Sequence, residues 1–162
     1  MSTLEVKGIQ APSGFDLDMP AGHIVQVKSV RGDFSEDVSS SSASYVELHT
    51  SLRNTFTPKF ANSTLIFEYN ACSVGHSTTY IKFQIFADGA NLDTVAPSDH
   101  WRTHSGSDGE SPVNVYLEAP SWGTTGKVIS PYFASYAAGT VVKGNWGGSS
   151  PMCYMKVTEV SN

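Results

Sequence analysis

Apolar and polar residues alternate along much of this chain with a period of two, the spacing of a strand with one face buried. Across residues 63–72, Leu65, Phe67, Tyr69 and Ala71 share one face, and Ile66, Glu68, Asn70 and Cys72 share the other. Across residues 79–87, Ile81, Phe83 and Ile85 oppose Tyr80, Lys82, Gln84 and Phe86. The Leu65/Phe67/Tyr69 and Ile81/Phe83/Ile85 faces are the expected core faces. Shorter strand signals fall at residues 24–27, 45–49, 52–56, 113–117, 127–138, 140–143 and 152–160. Asp88-Gly89 is a hairpin turn signal, Pro120 closes the strand at 113–117, and Pro131 marks an edge strand or a bulge. The segments 35–44, 105–112 and 144–151 are rich in Ser, Gly and Pro and read as surface connections. Convincing helical periodicity is absent: the match of Ile129, Tyr132, Phe133 and Tyr136 to the i, i+3, i+4, i+7 spacing falls in a segment that contains Pro131. The pattern predicts an all-β protein, a jelly-roll sandwich of roughly eight or nine strands.

The start of the chain reads differently. Leu4, Val6 and Ile9 are too few to form a core, and Pro12 and Gly14 interrupt regular structure. Residues 1–22 are therefore expected to form an extended arm and residues 23–162 the jelly-roll domain. A short arm before a compact β-domain suggests an attachment device: the arm grips, the domain is displayed. That favours a structural or binding protein over an enzyme.

Composition narrows the classes. A chain of 162 residues suffices for one domain with a sizeable core. Only 15% of residues are charged, a balance common in extracellular and virion β-proteins. The net charge is -5 and no Lys/Arg cluster occurs, so no nucleic-acid partner is expected. No secretory signal and no membrane-spanning apolar run is visible. Cys72 and Cys153 belong to no CxxC or Cys/His pattern and are expected as buried thiols, pairing only if their strands are neighbours.

Candidate chemistry is sparse. His100 and His104 stand at i and i+4 beside Asp99, but Trp101 occupies the place of the glutamate in HExxH, and no metal site is expected. Asp16 and Asp18 read as a solvated turn. There is no Gly-x-Ser-x-Gly elbow and no Gly-rich loop opening a helix. No catalytic or cofactor-binding residue is assigned. Arg31-Gly32-Asp33 spells an adhesion tripeptide and reads as a turn. Trp101, Trp122 and Trp146 lie in or beside Gly/Ser-rich connections. There they are candidates to stack on sugars or anchor a receptor. The competing role is to plug the ends of the barrel or a subunit interface, since exposing three indoles without a partner is unfavourable.

Three stretches carry a resemblance to a known class. They are the start, Ser2-Thr3-Leu4-Glu5-Val6-Lys7-Gly8-Ile9-Gln10 running to Met19-Pro20-Ala21-Gly22-His23-Ile24-Val25-Gln26; the middle, Phe56-Thr57-Pro58-Lys59-Phe60-Ala61-Asn62-Ser63-Thr64-Leu65-Ile66; and the end, Ser149-Ser150-Pro151-Met152-Cys153-Tyr154-Met155-Lys156-Val157-Thr158-Glu159-Val160. Together they resemble small virion proteins and fibre-tip domains of tailed bacteriophages, particularly marine and cyanobacterial ones, with domains similar to tumour-necrosis-factor-type jelly rolls. The resemblance implies a non-enzymatic virion protein that forms a homotrimer. It would dock on other virion proteins through Leu4, Val6 and Ile9 and have a host surface glycan as a further partner. The chain lacks the long repetitive shaft of tail fibres, so short fibre, tail-associated protein and head decoration all stay open. The alternative is a cell-surface glycan-binding module that uses the loop tryptophans.

Overall fold

The computed structural model describes residues 20–32, 37–76, 81–92, 100–102, 109–137, 142–145 and 153–162, with side chains placed for all of these except 72–76, 100–102, 109–111 and 142–145. The arm residues Leu4, Val6 and Ile9 lie outside them, as do Trp146, His104, Asp16 and Asp18.

The protein is all-β, and its described residues form two six-stranded antiparallel sheets. The body of the first sheet is β1 (Ile24–Arg31), β12 (Tyr154–Val160), β5 (Thr64–His76) and β9 (Gly109–Pro120), in that spatial order. Beside the far half of β5 lie β11 (Val142–Asn145) and then β2 (Val38–Ser40). In the second sheet β3 (Val46–Glu47) and β4 (Asn54–Phe56) flank one side of β10 (Lys127–Ser135). On the other side of β10 lies β6 (Ile81–Ala87), followed by β7 (Ala90–Asn91) and β8 (His100–Arg102). When β3 with β4, and β7 with β8, are each read as one broken strand, four pairs nest inside one another: β1 with β12, β4 with β10, β5 with β9, β6 with β8. That nesting is the jelly roll.

The core lies between the sheets and uses the expected faces. Leu65, Phe67, Tyr69 and Ala71 are buried from one side, Ile81, Phe83 and Ile85 from the other. Rings meet across the gap, with Tyr69 and Phe83 centroids 5.8 Å apart and Phe83 and Phe133 centroids 6.4 Å apart. The Asp88-Gly89 turn forms between β6 and β7, with positive φ at both residues as a type I′ turn requires (50° and 77°). The Asp88 side chain then accepts a bond from the Val128 N–H at 2.9 Å, tying the turn to β10.

Several local expectations need correction. The signals at 45–49 and 52–56 are not two full strands. Between β3 and β4 the chain makes a 3₁₀ turn, Thr50–Leu52, whose start is capped by His49 accepting from the Ser51 N–H. That turn explains Pro131, which sits in the central strand β10 with no register shift against β6. In a strand, a residue's N and C=O point to the same side. The Pro131 carbonyl accepts from the Leu48 N–H at 2.9 Å, so its nitrogen faces the same side, just past the end of the two-residue strand β3. The one bond that Pro131 cannot return therefore falls where that short neighbour gives way to the turn, and β10 runs on beside β6 without a bulge. Strand β9 begins at Gly109 and β11 reaches Asn145, so both take residues from segments whose composition reads as loop, while β2 crosses the serine-rich segment.

One buried charge closes an end of the sandwich. Glu159 lies on the inward face of β12 and is fully buried. Its carboxylate accepts from the backbone N–H groups of Lys59 and Phe60, from the Ser63 hydroxyl and from the Gln26 amide, at 2.6–2.9 Å. Burial pushes this carboxyl up, but those four donors outweigh it and hold it below the usual carboxylate range. The Thr57–Ser63 connection is thus wrapped around a charge from the other end of the chain.

Candidate functional site

Two features of the first sheet have the geometry of working parts. The first is the root of the N-terminal segment. Ser161, just past β12, donates its hydroxyl to the Pro20 carbonyl at 2.6 Å, and its carbonyl accepts from the Gly22 N–H at 2.8 Å. Its own N–H donates to the His23 carbonyl at 2.9 Å. The point where residues 1–19 join the body is therefore clamped to the last strand.

The second feature is the outward face of the same sheet. Strand register sets it out as rows. Arg31, Tyr154, Asn70 and Asn114 form one row; Ser29, Lys156, Glu68 and Tyr116 form the next; Val27, Thr158, Ile66 and Glu118 form a third. Cross-strand partners are in contact along these rows, Lys156 with Glu68 as an ion pair and Asn70 with Asn114 by a hydrogen bond. Tyr116 donates to Glu118, which pushes its phenol up. Among the exposed large apolar residues, Ile24, Val27, Tyr116 and Tyr154 all stand on this sheet.

A cavity of about 380 Å³ opens beside β1 and β12, lined by Ser29, Arg31, Cys153, Tyr154 and Lys156. Its walls are fixed from below. Val30 and Met155 point into the core, so their neighbours in sequence must point out. The Gly32 N–H donates to the Cys153 carbonyl at 2.9 Å, holding the end of β1 against β12. Arg31 is thus a strand residue and not part of a turn; Asp33 lies outside the described residues. Arg31 is exposed and forms no ion pair with any described residue.

The tryptophans divide. Trp122 is half buried against the core. Its ring lies at 6.0 Å from that of Phe67, its N–H donates to the Thr125 carbonyl at 2.8 Å, and Lys127 sits 5.1 Å over its face. The ring and the polar edge of this indole thus have partners within the chain. Trp101 lies on β8 by its backbone, and Trp146 lies outside the described residues. The backbone of His100 is also on β8, while Asp99 is outside. Among the described residues no group of three or more His, Cys, Asp or Glu is placed to hold a metal ion. No helix among them is long and apolar enough to cross a membrane. Cys153 is buried at 0% exposure, and the side chain of Cys72 is not among those placed. Sequence reading passed over Arg31, Tyr154 and Glu159 as a group. The available signal was that 29, 31, 154 and 156 are all outward positions, but nothing local says that β1 and β12 are neighbours.

No protein family matches this sequence, and no curated protein matches it. Among solved structures, one of infectious bursal disease virus, Gx strain, aligns at 12% identity with a TM-score of 0.42, over 96% of this chain and 46% of that one. The chain therefore spans less than half the length of that protein.

Proposed function

We propose that this chain is a non-enzymatic structural component of a bacteriophage virion, attached through residues 1–19 and displaying its jelly roll outward as a homotrimer. The observation that carries the reading is the clamp of Pro20, Gly22 and His23 to Ser161. A segment that anchors a displayed domain must pass load into the body, and this one meets the body at a strand paired through its length with β1 and β5. Leu4, Val6 and Ile9 supply the apolar contacts to the neighbouring virion protein. A closed trimer covers exposed apolar residues such as Ile24 and Val27 and hides strand edges. Head and tail positions are equally served by this design.

The test is a phage that encodes a chain lacking residues 1–19. The truncated chain is expected to fold, to remain trimeric by light scattering, and to be missing from purified particles. A truncated chain that still enters the particle overturns the docking role, and a full-length chain that stays monomeric at micromolar concentration overturns the trimer.

A further inference from the structure

We propose that the cavity between β1 and β12 binds one ring of an anionic saccharide, with the acid group on Arg31 and the ring against Tyr154. This reading is independent of the virion assignment. It also differs from a site built on the loop tryptophans, because every residue in it stands on or directly beside a strand.

Four observations converge. The volume, about 380 Å³, falls in the range of small-ligand sites and far exceeds what a bare oxyanion fills. Arg31 lines the cavity, exposed and without an ion-pair partner among the described residues. Its planar fork matches a carboxylate or a sulfate in a bidentate manner. Directly opposite in register, Tyr154 leaves 39% of its surface open, a rigid amphipathic ring that costs little entropy to use. In the adjacent row, the Ser29 hydroxyl and the Lys156–Glu68 pair bring donors and an acceptor within the reach of sugar hydroxyls. Lys156 is already neutralised by Glu68, so Arg31 is left as the cation that selects for charge. Alternation against the core residues Val30 and Met155 puts Ser29, Arg31, Tyr154 and Lys156 on one face of the sheet.

One cation and one ring make a weak site, with a dissociation constant on the order of 1 mM. Saturation-transfer NMR on the full chain suits that range. The probes are 3′-sialyllactose for the carboxylate, galactose-6-sulfate for the sulfate, lactose as the neutral control and inorganic sulfate as the bare anion. The expected result is saturable binding of at least one acidic sugar and none of lactose. Arg31→Ala should weaken that binding at least about tenfold, the scale of one charge-assisted contact. Arg31→Lys should fall between, keeping the charge and losing the fork. Tyr154→Ala should also weaken it, while Tyr136→Ala, exposed and outside the site, should not. Melting curves establish that each variant is folded. Equal binding of lactose, an unchanged Arg31→Ala variant, or no saturable contact with either acidic sugar overturns the proposal. Inorganic sulfate that displaces the sugar at the sugar's own concentration also overturns it, since the site would then read only the charge.

Discussion

The two sheets carry outward faces of opposite character. On the second sheet the aromatics close on one another. Phe86 and Tyr132 stack at 4.0 Å, and Tyr45 packs on Phe86 at 5.8 Å. Gln84 and Ser130, which share this face, are buried. On the first sheet Tyr154 is flanked in register by Arg31 and Asn70, and Tyr116 by Glu68. Both tyrosines stay open. The same period of two built both faces. What separates them is the company each ring keeps across the strands. An aromatic beside another aromatic is consumed by packing, whereas one beside amides and charges remains available to a ligand.

Four measurements can break or sharpen this contrast. The largest effect belongs to the core that both faces share. Phe67→Ala should cost about 3–5 kcal/mol in denaturant unfolding. Ile66→Ala, on the half-buried outward side, should cost clearly less, and equal losses would mean that the faces of β5 are assigned wrongly. Next comes Glu159. Replacing it with Gln turns one of its carboxylate oxygens into a donor facing Lys59, Phe60 and Ser63 and should cost about 1–3 kcal/mol. Because its folded-state pKa is depressed, its contribution is complete above the unfolded value of about 4.3 and is lost as pH falls through the lower folded value. The melting temperature of the parent should therefore fall as pH drops below about 4, and Glu159→Gln should flatten that slope.

The third measurement addresses the contrast directly. Tyr132→Ala removes a stacked ring and should cost about 1–2 kcal/mol, while Tyr154→Ala should stay within about 0.5 kcal/mol. Comparable losses would show that the first sheet's face is packed as tightly as the second. The smallest effect is expected from Glu68→Gln, which breaks the half-exposed pair with Lys156. A change of about 0–1 kcal/mol that shrinks at high salt fits a surface ion pair, and a larger salt-independent loss would mark the pair as structural.

Parts of this molecule are open to reading from single residues. The burial of Leu65, Phe67 and Tyr69 follows from alternation over one strand, and the Asp88-Gly89 turn from the positive φ those residues tolerate. Pro131 misleads because its penalty depends on which neighbour its nitrogen faces, and that neighbour is interrupted by a turn some eighty residues earlier in the chain. Glu159 is equally opaque. A glutamate near the end of a strand reads as solvated, and only the Thr57–Ser63 connection, supplying three of its donors, makes its burial affordable. Trp122 reads as a loop aromatic, yet Phe67 and Lys127 both pack on its ring.

The sequence by itself determined where the main strands such as β5, β6, β10 and β12 run, the side each residue of β5 and β6 turns to the core, and the all-β class. These are local properties, since a side chain's face depends only on its place in a two-residue repeat. The tertiary structure decided which strands are neighbours, and with that everything chemical. Arg31 meets Tyr154, and Gln26 meets Glu159, across most of the length of the chain. No local pattern encodes such pairings, because register between distant strands is chosen by the whole core at once: a slip of one residue would turn every apolar side chain of a strand out of it.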